Sequence, residues 1–81
     1  RLARRRPLVK EASRLEQQIA ALEAEKLDLE RRLGDATFYA AATPAEVQSA
    51  SRRCADVVAM LGEAEERWLV VQAQIESIGE P

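Results

Sequence analysis

Residues 47–78 read VQSASRRCADVVAMLGEAEERWLVVQAQIESI, and the apolar positions of this stretch decide the fold. Steps of three and four lead through Val47, Ala50, Cys54, Val57, Leu61, Ala64, Trp68, Val71, Ile75 and Ile78 without meeting a polar residue. A helix turns once in about 3.6 residues, so an apolar period near 3.5 draws one continuous seam along a single face, as in coiled coils. The start of this helix is written in Thr43-Pro44-Ala45-Glu46. Thr43 offers a hydroxyl cap, Pro44 suits the first helical position, and Glu46 can reach back to close a capping box. Gly79 and Pro81 mark the end. Gly62 falls beside the seam on the outer face and costs about 1 kcal/mol relative to alanine.

Upstream, the same spacing passes through Leu8, Ala12, Leu15, Ile19, Leu22, Lys26, Leu29 and Leu33, and only Lys26 is polar. A single polar seam residue of this kind specifies register. Pro7 is acceptable in a first turn and Gly34 reads as a left-handed stop, which predicts a helix over 8–33, about 39 Å long. Residues 34–43 are too few for a further domain and enough to reverse the chain, with Phe38 and Tyr39 expected to cover the open end of the coil. The predicted fold class is all-α: a two-helix antiparallel coiled-coil hairpin with helix 8–33, turn 34–43 and helix 44–78. Residues 1–7 read as a basic linker from an upstream domain and 79–81 as a tail. Paired seam positions then have a constant sum. A sum of 83 sets Leu29 against Cys54 and Ala12 against Val71; a sum of 76 sets Ala12 against Ala64. The first interleaves large with small residues better and is preferred.

Composition narrows the chemistry. The 81 residues contain no histidine, one cysteine, three glycines and three aromatics, so zinc sites, histidine-based triads and glycine-rich phosphate loops lack their residues. Adjacent glutamates such as Glu65 and Glu66 point to different helix faces and cannot converge on one substrate atom. A lone cysteine fits a reducing cytoplasm, and no apolar run reaches membrane-spanning length, so no membrane partner is expected. Opening on Arg1 rather than methionine, the sequence is expected to be part of a longer protein.

The formal net charge of -2 hides an asymmetry. Residues 1–14 hold Arg1, Arg4, Arg5, Arg6, Lys10 and Arg14 against Glu11 alone, whereas the remainder holds six basic and thirteen acidic side chains. A cluster of cations at a helix amino end opposes the helix dipole, and a phosphate backbone would offset that. These six residues are the candidate nucleic-acid contacts. The competing reading sets them beside the carboxyl end of the second helix, near Glu76 and Glu80. Arg31, Arg32, Arg52 and Arg53, all near the turn, form a possible secondary patch, although Asp28 with Arg32, like Glu63 with Arg67, has the spacing of an ordinary helical ion pair. Trp68 and Cys54 occupy seam positions and read as core.

The segment Arg6-Pro7-Leu8-Val9-Lys10-Glu11, Leu15-Glu16-Gln17-Gln18, the turn Leu33-Gly34-Asp35-Ala36-Thr37-Phe38-Tyr39 and the late stretch Ala64-Glu65-Glu66-Arg67-Trp68-Leu69 together resemble the C-terminal domain of ABC-F ATP-binding cassette proteins. The pattern is closest to the YheS-like branch, with the Uup-like branch related. The resemblance implies a non-catalytic hairpin appended to two ATPase cassettes that work in the cytoplasm. It also implies that ATP and magnesium belong to those cassettes and that no cofactor belongs to this segment. The implied partners are ribosomal RNA or the ribosome, or DNA, together with the parent's own cassettes, for a monomeric hairpin. The alternative is a coil that mediates protein interaction or dimerisation without nucleic acid.

Overall fold

A computed structural model describes residues 2–79, as a rod of 57 × 14 × 14 Å. Helix α1 runs over Leu2–Leu33, a short α2 over Ala36–Ala41 and α3 over Pro44–Ile78, with α1 packed along α3. The described chain is the expected all-α hairpin. Its burial follows the two seams closely. Ala12, Leu22 and Leu29 on α1 and Ala50, Val57, Leu61, Ala64 and Val71 on α3 are buried, and every other predicted seam residue, Lys26 included, is half-buried.

Side chains at the two edges of the interface fix how α1 and α3 are aligned. On one edge Arg53 Nε and Nη2 donate to the carboxylate of Glu25 at 2.6 and 2.8 Å, and Arg67 Nε and Nη2 donate to Glu11 at 2.8 and 3.0 Å. Both pairs have residue numbers that sum to 78. On the other edge Glu23 and Glu65, which sum to 88, line the same groove. The edges of an antiparallel coil lie symmetrically about its core layers, so 78 and 88 bracket 83. The alternative sum of 76 falls outside that bracket.

Three local expectations change. Helix α1 begins at Leu2, not residue 8, so the supposed linker is helical through its described part and Pro7 lies inside the helix. The ring removes one backbone donor, and the carbonyl it orphans belongs to exposed Ala3, where water can take its place. Arg5 extends the seam three residues before Leu8 and is half-buried. The gain is one further layer against the carboxyl end of α3.

Gly34 is not left-handed; among the described residues only Gly79 has positive φ, at 81°. Gly34 matters for closeness instead, because a Cβ there would stand 3.2 Å from the Glu30 carbonyl oxygen. The segment 34–43 is also more ordered than a plain turn. Asp35 caps α2 by accepting from the Thr37 N–H at 2.9 Å and the Thr37 hydroxyl at 2.8 Å. Phe38 packs on the core while Tyr39, exposed, donates its hydroxyl to the Leu33 carbonyl at 2.7 Å. The rings meet edge to face at 5.6 Å. Thr43 Oγ1 accepts from the Glu46 N–H at 3.1 Å, Pro44 opens α3, and Gly79 closes it by donating its N–H to the Ile75 carbonyl.

Candidate nucleic-acid interface

The cations expected to bind phosphate divide into three sets once they are placed on the helices. Arg6, Lys10 and Arg14 are exposed and stand at i, i+4 and i+8 along α1, one stripe about 12 Å long at about 1.5 Å per residue. None of the three joins an ion pair among the described residues, although Arg14 adds a weak attraction that helps hold Glu11 ionised. The first turn of α1 contains no acidic residue to balance the stripe against the helix dipole.

Arg4 faces another way. It lines a shallow depression with Pro7, Leu8, Gln74, Ser77 and Ile78, against the final turn of α3, which contains no basic residue of its own. There it complements the negative end of the α3 dipole, the internal compensation weighed against a phosphate role. Arg5 sits half-buried in the seam. Arg1 lies outside the described residues, as does Glu80. The six-residue cluster therefore does not form one surface: three of its members share an outward stripe, and two turn toward α3.

Half of the patch near the turn is committed to carboxylates. Arg53 is held in the two-pronged pair with Glu25, and Arg32 Nη2 donates to Asp28 at 2.8 Å. Hydrogen bonding from Arg53 pulls the Glu25 carboxyl below its ordinary range, and hydrogen bonding from Arg67 does the same to Glu11. Arg31 and Arg52 stay exposed but lack the axial continuity of the base stripe. Arg67 pairs across the hairpin with Glu11 rather than along α3 with Glu63, because a bidentate fork to a carboxylate is stronger than a loose i,i+4 contact.

Two seam residues depart from a simple core role. Trp68 is half-buried, and its indole N–H donates to Glu16 Oε2 at 2.9 Å, so the ring walls a surface groove as well as packing. Its place at the edge of the seam left room for this, but apolar spacing alone does not show which way an indole N–H turns. Cys54 is a half-buried free thiol against the core. Among the described residues there is no group of three or more potential metal ligands, and no helix is long and apolar enough to cross a membrane.

A family model described as the ABC transporter C-terminal domain matches residues 6–73, from the first residue of the cation stripe through most of α3. No curated protein and no solved structure gives a significant match.

Proposed function

The chain belongs to the ABC transporter C-terminal domain family, and from that premise we propose that it is the C-terminal accessory arm of an ABC-F ATP-binding cassette protein, one that holds its parent on nucleic acid. The observation that carries this reading is the exposed stripe of Arg6, Lys10 and Arg14, three cations in line on one helix with no ion pair among the described residues, whereas Arg32, Arg53 and Arg67 are paired and Arg31 and Arg52 stand singly on different helices. Phosphates spaced along a strand would meet three cations on one face of a stiff helix. Such contacts fix position and read no sequence, which suits an anchoring arm. The hairpin supplies no catalytic group: hydrolysis, with ATP and magnesium, is the work of the cassettes.

Stiffness is the second half of the mechanism. Two helices locked by an apolar seam and by cross-helix ion pairs transmit a push along the rod, so a foot at its base is coupled to the parent's position. Fluorescence anisotropy of the chain against a structured ribosomal RNA fragment and against duplex DNA, in direct competition, tests the assignment. The expected result is salt-sensitive binding to at least one of them, and the preferred competitor names the target; no binding to either at low salt overturns the reading.

A further inference from the structure

The two edges of the hairpin are chemically opposite. On one, Glu11–Arg67 and Glu25–Arg53 bridge α1 to α3. On the other, no ion pair crosses among the described residues. There Glu23 and Glu65 line a common groove from opposite helices, and two carboxylates cannot close a gap as a carboxylate and a guanidinium do.

This open edge is also the more apolar. Leu27, Val58 and Leu69 are large apolar side chains exposed along it, Leu69 at 61%. A groove of about 410 Å³ is floored by Ile19, Ala20, Trp68 and Leu69. It continues past Glu23 and Glu65 to Lys26, Leu27 and Glu30. From Glu16 to Glu30 it follows α1 for about 21 Å, the length of four helical turns. Its rim carries Glu16, Glu23, Glu30 and Glu65 against the single cation Lys26.

We propose that this edge is a docking groove for one amphipathic helix with an apolar stripe flanked by lysine or arginine, supplied by a partner protein, which packs against the hairpin as a third strand. The apolar floor accepts the stripe, and the four glutamates select basic flanks over acidic ones. A basic side chain laid over Trp68 gains a cation–π contact as well. The groove is separate from the Arg6, Lys10 and Arg14 stripe, so the proposal stands whether or not the chain binds nucleic acid.

Trp68 is the only tryptophan and walls the groove, so its fluorescence reports occupancy directly. The probe is a synthetic helical peptide with leucine at seam positions and lysine beside them, compared with the same peptide carrying glutamate in place of lysine. The expected result is saturable binding of the lysine peptide with a blue shift of Trp68, at least tenfold tighter than the glutamate peptide. Leu69→Glu weakens it by more than tenfold while Val70→Glu, at an exposed position on the bridged edge, leaves it unchanged. Both variants add one negative charge, so attraction to net charge alone predicts equal behaviour, and that outcome overturns the proposal. Absence of saturable binding also overturns it. Sedimentation across a concentration series covers the remaining occupant: a wild-type dimer that Leu69→Glu converts to monomer would assign the groove to a second copy and overturn it too. Helical circular dichroism confirms that each variant is folded.

Discussion

The turn half and the base half of this hairpin share a seam and differ in what they do with it. Near the turn, Leu22, Leu29, Ala50, Val57 and Leu61 form one core cluster, joined by Ile19, Leu33, Phe38 and Cys54. Toward the base the buried residues are the smaller Ala12, Ala64 and Val71. Cross-helix ion pairs do not follow that division, since Glu25–Arg53 lies near the turn and Glu11–Arg67 toward the base, but the exposed cations do: Arg6, Lys10 and Arg14 run in line along α1 near the base, whereas Arg31 and Arg52 near the turn stand singly on different helices. The turn half therefore holds the larger core cluster, and the base half holds the continuous stripe of exposed cations.

Truncating a side chain of the larger core cluster should have the greatest effect. Leu29 is 3% exposed, and Leu29→Ala should cost about 3 kcal/mol through lost transfer energy and the cavity left behind. Val71→Ala, at a fully buried base position, removes two carbons and should cost about 1.5 kcal/mol. Urea unfolding of both variants measures the ratio. Equal losses per carbon removed, three at Leu29 and two at Val71, would mean that the halves are packed alike.

A smaller effect separates ion pairing from that division, because each half has one cross-helix pair. The carboxyls of Glu25 and Glu11 are both held below their ordinary value of 4.5 by hydrogen bonds from Arg53 and Arg67. A depressed folded value means that their contribution is fully present above that ordinary value and is lost as pH falls through the lowered one. Glu25→Gln and Glu11→Gln should therefore each flatten the acid loss of stability between about pH 6 and about pH 3, to a similar extent. Thermal melts across that range check it. A flattening confined to Glu25→Gln would place the base pair outside the solution fold.

Much of this architecture was legible in the residues themselves. Ten apolar positions from Val47 to Ile78 fixed α3, and Thr43, Pro44 and Gly79 fixed its ends, because caps and seams act over a few neighbouring residues. The start of α1 was not legible, since Pro7 reads locally as a beginning, while the tertiary layer that Arg5 adds lies across the hairpin. Helix α2 was missed although Asp35 and Thr37 carried its cap; six residues are too few for apolar periodicity to register. At the candidate site the residue types were visible and their grouping was not. Arg4 and Arg6 are two positions apart, which is about 200° around a helix, so adjacency in sequence set them on different faces. Which arginines were already paired depended on Glu11 and Glu25, brought near by the fold rather than by the chain.

The salt dependence of binding to a short duplex and to the ribosomal RNA fragment separates the base stripe from the turn patch when measured for the wild type, for Arg6→Gln/Lys10→Gln/Arg14→Gln, and for Arg31→Gln/Arg32→Gln/Arg52→Gln. Docking through the base stripe requires that, on duplex DNA, the base triple lower the log–log slope by about 0.9 for each phosphate no longer neutralised, about 2.7 in all, while the turn triple leaves it nearly unchanged. Equal reductions from the two triples, or a slope that the base triple does not move, would contradict it.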